Sequence, residues 1–405
     1  MGVKRGDDSL AESQSGVVDW DGPQDPEHPF NWPQKQRAIH IGLVTFINFV
    51  LNLAATLFAP AAQNLAVDFS VTDSTVLSLT VSIYLLGFAV GPLVVAPLSE
   101  VYGRLWVYHI VGPIIGGFVA DNLGWRWTLW IVCIVSGIST TLCFLFMKET
   151  YAPVLLAAKA RRLQKEPGNV SESTEFTKPT TLLLRAFVRP TKMLFLSPVV
   201  FGLSLFNAMV FGLIYLLFTT FPSVWRAQYG FSAGISGLCY LGLGVGMILA
   251  IGVFGALSDR LLEAKRKNGE AQPEHRLPLM IWTSPFLPAG LFWYGWAAEA
   301  NIHWMVPIVG TSLIGFGGYF IVMPSQLYLV DAFGAQGAAS ALAALSVLRF
   351  IFGCFLPLAG PALYNDLGLG WGNSVLGFIA VAFIPVPIAF YKCGGFLRER
   401  FQVKL

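Results

Sequence analysis

A chain of 405 residues in which 55% are hydrophobic and 12% are charged, with a mean hydropathy of +0.63, is too apolar for a soluble domain of its length, so the bilayer is its solvent. A formal net charge of +3 is no sign of a nucleic-acid partner. The sequence has no Gly-rich loop ending in Lys-Ser or Lys-Thr, no nucleophile elbow and no metal-ligand cluster, which argues against ATP-driven pumping, enzymatic chemistry or a cofactor.

In chain order, residues 1–37 are polar and rich in Pro, Asp and Ser; with no apolar core ahead of a small-residue cleavage site they read as a cytosolic tail, not a signal peptide. Ten apolar runs follow that could cross a hydrocarbon core of roughly 30 Å at about 1.5 Å per helical residue. The first four are Ala38–Ala61, Thr75–Leu98, Leu105–Ala120 and Trp125–Met147. The later six are Phe195–Phe218, Ala233–Leu257, Leu279–Ala298, His303–Tyr328, Gly337–Gly360 and Trp371–Tyr391. The run from Leu105 is short, roughly 24 Å as a helix, and tilting does not lengthen a helix that is too short.

Basic residues in short flanking loops stay on the cytoplasmic side. With both termini inside, only Arg126 and Arg226 fall in outer loops and only Arg349 within a span, and the other 23 of the 26 Lys and Arg face the cytoplasm. Residues 148–192 turn polar and read as a cytosolic linker between a membrane bundle over 38–147 and a second over 193–405. Asn169 begins a glycosylation sequon that this topology keeps in the cytosol, unmodified. Cys133, Cys143, Cys239, Cys354 and Cys393 are odd in number and unpaired in spacing, and read as small core hydrophobes.

The two bundles share a local repeat: "APLSEVYGR" after the second run and "GALSDRLLE" after the second run of the later bundle. Such duplication is typical of secondary transporters. Duplicated halves should match in size, yet Ala38–Met147 covers about 110 residues and Phe195–Tyr391 about 197. Two spans with their loops, roughly 60 to 80 residues, would close the gap, and the short run beginning at Leu105 is where they are expected to be missing. Losing two spans preserves the direction of everything downstream.

The strings "DWDGPQDPEHPFNWP", "APLSEVYGR", "ETYAPVLL", "PSQLYLVDAFG" and "FLPLAG" before "GWGNS" resemble the major facilitator superfamily, and within it the fungal twelve-span drug:proton antiporters that include multidrug, polyamine and toxin exporters. The resemblance covers nearly the whole chain. It implies an all-α, multi-pass, two-bundle fold, here with about ten spans, four plus six, instead of twelve. In that family the string resembling "VGPIIGG" belongs to the fifth span and "GRLWVY" opens the third, so this sequence joins span three to span five. The span absent here is the one on which the family carries an Arg associated with proton coupling.

Glu100, Gly103 and Arg104 match the family's signature in the second cytoplasmic loop, and Asp259 with Arg260 match its weaker copy in the later bundle. The implied role is a cytoplasmic latch between bundles made of charge pairs, with plain anchoring in the headgroups as the alternative; Leu105 stands where the family prefers a second basic residue. Gly112, Pro113, Gly116 and Gly117 match the antiporter signature, in which glycines four apart admit close helix approach and proline bends the helix. Arg349 lies roughly 18 Å by helical rise from Gly337 and belongs near the bilayer midplane, where a charge must face a partner, helix-end carbonyls or a wet cavity. No Asp or Glu lies deep in any span.

His109 is the one titratable group well inside the early bundle and the candidate proton relay, with a structural role as the alternative; His40 and His303 lie nearer the interfaces. Asn48, Asn52, Asn207, Tyr215 and Tyr319 could line a central cavity or bond helix to helix. The expectation is a plasma-membrane exporter of small amphipathic compounds such as drugs, toxins or secondary metabolites, coupled to protons, with both termini cytoplasmic and a monomer by default. The alternatives are a polyamine exporter, which acidic cavity residues would favour, and a truncated, non-transporting isoform or regulator of an intact relative.

Overall fold

The computed structural model of the chain describes residues 20–22, 24–47, 50, 68–90, 126–150, 152–163, 179–231, 233–267 and 272–401. Among them every regular element is a helix, as an all-α membrane fold requires. They fall into two compact units, Met1–Asn52 with Val95–Leu184, and Leu53–Val94 with Arg185–Leu405. The third expected span, from Leu105 to Ala120, lies outside the described residues.

In the first unit the tail makes a 3-10 turn at Pro29–Asn31 and enters helix α1 (34–47) after Pro33. The buried carboxylate of Asp25 accepts from the backbone N–H groups of Asp21 (2.9 Å) and Glu27 (2.8 Å) and from Lys159 Nζ (3.1 Å). Lys159 also pairs with Asp21 at 2.8 Å. These bonds fasten the tail to a helix over Ala152–Leu163, so the "DWDGPQD" motif acts as a clamp. The two backbone donors, with the ammonium beside them, hold the Asp25 carboxyl below its ordinary value of 3.8. His40 is spent on structure: Nε2 accepts from the Lys148 backbone N–H at 2.9 Å, which leaves Nδ1–H to donate to the Gln36 carbonyl at 2.8 Å. That tie joins α1 to the end of the helix over Arg126–Phe146.

In the second unit α2 (Ser74–Ser82) starts at Asp73, whose side chain accepts from Thr75 N–H at 2.8 Å, and the chain continues helically over 84–90. In chain order the helices α3 (Arg126–Phe146), α4 (Ala152–Leu163), α5 (Pro179–Leu196) and α6 (Pro198–Tyr229) follow. α6 is capped by Ser197 with Pro198 at its first position and ends on left-handed Gly230. It outruns its expected span by about three turns, because nothing before Gly230 stops it. Arg226, expected in an outer loop, therefore sits in its last turn, where a cation suits the negative helix end.

The sixth expected span divides at Cys239 into α7 (Ala233–Leu238) and α8 (Tyr240–Lys267). The "GALSDRLLE" repeat, expected beyond the span, lies inside α8. The next run divides at Ser284–Pro285 into α9 (Pro278–Thr283) and α10 (Phe286–Glu299), where Pro285 brings no N–H to continue a helix. α11 (Met305–Phe355) holds two spans joined at Gly334, and α12 (Ala359–Phe383) changes course at Gly368. With φ of 60° and 74°, these two positions demand glycine. α13 (Pro385–Arg400) closes the described chain.

Among the described residues four stretches are long and apolar enough to cross a membrane: Pro198–Tyr229, Tyr240–Ser258, Met305–Gly334 and Gly337–Arg400. α6 is the hub of this unit, with Leu203, Phe206, Leu213, Leu216, Phe221 and Trp225 fully buried. Apolar lipid gives helices no hydrophobic reason to associate, so close van der Waals fit has to do it. α8 and α11 meet backbone to backbone: a Cβ on Gly246 would fall on the Ser312 carbonyl, and one on Gly315 on the Leu243 carbonyl. Cys143, Cys239 and Cys354 are buried, Cys133 is half-buried, and none of the five is in a disulfide. Cys393, read as a core hydrophobe, is exposed on the last helix.

Gly246→Val should therefore abolish a monodisperse size-exclusion peak, whereas Gly244→Val, with nothing within 4 Å of its Cβ, should leave it intact; equal behaviour of the two would refute this packing. Because the folded Asp25 carboxyl is depressed, its contribution to tail docking is fully present above pH 3.8 and is lost as the pH falls through the lower folded value. Limited proteolysis should find the tail protected at pH 5 and at pH 7, and freed at both by Asp25→Asn.

Candidate functional site

Among the described residues, the expected polar groups Asn207 and Tyr319 each stand apart from Tyr215 and Arg349. Asn48, Asn52, Glu100, Gly103, Arg104, His109, Gly112, Pro113, Gly116 and Gly117 lie outside the described residues. Asn207 is fully buried in α6, where its amide donates to the Leu203 carbonyl at 3.3 Å while Oδ1 has no partner. Tyr319 packs edge-on against Phe254 and Phe320, in a satellite cluster with Ala250 and Leu279. Tyr215 and Arg349 are the two that come together.

Arg349 sits on the second half of α11 with its Cζ 5.1 Å from the ring centre of Phe211 and 4.8 Å from that of Phe350. Phe211 is one turn before Tyr215 on α6, their rings 4.5 Å apart. Tyr84 donates a hydroxyl hydrogen bond of 2.9 Å to Tyr215, and Phe88, one turn further on, meets Phe350 at 5.6 Å. Arg349 and Tyr215 thus both lie against the Phe211 ring. All six residues are half-buried, while Ser82, Leu85, Leu213, Leu216 and Cys354 beside them are buried. The group thus presents one partly open face on a closed wall.

The backbone holds this face in place. Ser82 Oγ donates to the Cys354 carbonyl at 2.9 Å, tying α2 to α11 within five residues of Arg349. A Cβ at Gly353 would meet the Phe211 ring at 2.8 Å and Leu85 at 2.9 Å, so the missing side chain is what lets α6 and α2 close on α11 here. Of the participants, sequence reading found Tyr215 and Arg349 by polarity. It missed Tyr84, Phe88, Phe211 and Phe350, since one aromatic ring in a chain with 32 Phe, 12 Trp and 12 Tyr carries no distinguishing signal.

A second polar cluster lies at the loop between α8 and α9. Asp259 and Arg260, the expected latch, are on α8, and Arg260 is exposed. Charge pairs among the described residues here are Arg276 Nε with Asp331 at 3.0 Å, with Nη1 of Arg276 also donating to Ser258 at 3.0 Å, and Arg398 with Glu274 at 3.6 Å. Glu274 is 3% exposed, accepts from the Tyr328 hydroxyl at 3.3 Å and lies against Gly394. Its second oxygen has no hydrogen-bond partner. One short loop thereby fastens the ends of α8, α11 and α13. Nothing in "PEHR" distinguishes a buried carboxylate from a solvated one.

The sequence profile of the Major Facilitator Superfamily matches residues 108–357. The chain is 48% identical to MFS transporter prlG of a fungal species, over 96% of this chain and 97% of that protein. It is 47% identical to MFS transporter fsa7 of a Fusarium species, over 96% and 90%. It is 43% identical to the trichosetin biosynthesis cluster MFS transporter of Gibberella fujikuroi, again over 96% and 90%. The alignment with prlG runs to 459 positions, and 96% of a 405-residue chain is about 389 residues, so about 70 of its positions stand opposite no residue here.

Glu274→Ala should lower the thermal midpoint of the detergent-solubilised protein, by about 1–3 kcal/mol of stability, because it strands Arg398 and Tyr328. Adding Arg398→Ala should cost little more, and additive losses from the two changes would show that they do not act as a pair.

Proposed function

Because the chain belongs to the major facilitator superfamily, a superfamily of membrane transporters, we propose that it is a secondary active exporter of small amphipathic compounds, working by alternating access and proton antiport at the plasma membrane. The observation that carries this reading is the half-buried face of Tyr84, Phe88, Phe211, Tyr215 and Phe350 around the intramembrane Arg349. Rings bind the apolar body of such a compound with little demand on its shape, while a few polar atoms orient it. The relative named for a trichosetin biosynthesis cluster supports a secondary metabolite as cargo. The domain order that goes with it is a cytosolic tail over 1–37, membrane bundles over 38–147 and 193–405, and a cytosolic linker over 148–192. Polyamine export finds no support, since a polycation needs carboxylates and the expected spans contain none.

A second reading has its own observation. About 70 positions of the prlG relative are unmatched in this chain, close to the two spans that the short run beginning at Leu105 leaves unaccounted for. This supports a chain that is a shortened form, whose bundle lacks part of a wall and which modulates an intact relative instead of transporting.

One experiment separates the two. Fluorescent amphipathic compounds are loaded into cells expressing this chain alone, or this chain with the unmatched segment of prlG inserted at its aligned position. Energy-dependent efflux from the first cells, collapsed by a protonophore, is the expected result. Efflux only from the second would assign export to the longer form, and efflux that ignores the protonophore would remove proton coupling.

A further inference from the structure

We infer that the Arg349 face binds the acidic headgroup of an amphipathic organic anion, with the anion's apolar body on the surrounding rings. The inference rests on the transporter reading and names the substrate class of the same site.

A guanidinium near the middle of a span costs roughly 2.5–3.5 kcal/mol even on scales that allow for relaxation. Cation–π contact with Phe211 and Phe350 returns about 0.5–2 kcal/mol, so the rings alone leave a deficit. A carboxylate would normally close it. None of the expected spans contains Asp or Glu, no described carboxylate pairs with Arg349, and its Nε is buried without an acceptor. The tyrosine pair adds a further donor. Tyr84 and Tyr215 spend one hydroxyl hydrogen on each other, which leaves the second without an acceptor among the described residues. The face therefore carries guanidinium N–H groups and one O–H as donors, beside hydroxyl oxygens that can also accept. A singly positive, donor-rich, ring-lined surface is complementary to an anion with an apolar body, and repels an amine.

The anion could in principle come from the lipid, which has the same chemistry. Depth argues for a diffusible compound, because Arg349 lies roughly 18 Å by helical rise from the start of its span, well below the headgroups.

The test uses the full chain in phosphatidylcholine nanodiscs and three probes with one apolar body: 4-(pyren-1-yl)butanoate, the corresponding butanol and the butylamine. Binding is read by energy transfer from the protein's tryptophans. The expected result is that the butanoate binds at least about tenfold more tightly than the butanol, that the amine is the weakest, and that Arg349→Gln removes the preference. A monodisperse size-exclusion peak and an unchanged thermal midpoint show that the variant is folded. Arg349→Lys should restore part of the preference, as a point charge without the planar fork. Equal binding of butanoate and butanol, or a preference that survives in Arg349→Gln, would overturn the inference. So would its loss on adding phosphatidylglycerol to the disc, which would assign the face to a lipid. Retained anion preference in a chain that shows no efflux would defeat the transporter reading and leave the anion site standing.

Discussion

A positive charge inside an apolar span, in a chain whose expected spans contain no negative one, sets what the helices of the C-terminal unit must bring around it. The charge of Arg349 cannot be diluted by water at that depth, so helices must bring polarisable or polar groups to it. α6 brings Phe211 and Tyr215, the chain over 84–90 brings Tyr84 and Phe88, and α11 itself adds Phe350. None of these can discharge a cation as a carboxylate would. Among the described residues no carboxylate pairs with Arg349, whose Nε is buried without an acceptor.

Holding such a site demands helices that approach closely without a hydrophobic driving force. The chain solves this with absent side chains. Gly353 admits Phe211 and Leu85 beside Arg349, and Gly246 with Gly315 lets α8 and α11 touch backbone to backbone. At the far end of the unit the buried Glu274 and the Arg276–Asp331 pair fix one loop against three helices. Charge is thus used twice, once paired as a fastener between a loop and three helices and once, among the described residues, without a counter-charge within a span.

The all-α membrane fold and the superfamily were legible in the sequence because apolar run length and local strings are one-dimensional signals. Arg349 was legible for the same reason: one charge in an apolar run needs no partner to be noticed. The rings around it were not, because Phe211 and Phe350 differ from their many equivalents only in what they face. Span ends were misplaced where a single residue decides them, at Gly230, Cys239 and Pro285. The pairs of Glu274 and Arg276 were not legible, because burial of a loop carboxylate has no sequence period. The tail motif, recognised by likeness alone, has a mechanical role as a clamp on Lys159.

The central claim is that the guanidinium of Arg349 stays within the hydrocarbon and takes its counter-charge from outside the protein. The most direct measurement is a cryo-electron-microscopy map of the chain in nanodiscs. The account predicts the guanidinium at the depth of Phe211, with non-protein density or ordered water against its donors. A carboxylate of this same chain bonded to Arg349, or the side chain drawn out to the headgroups, would contradict it.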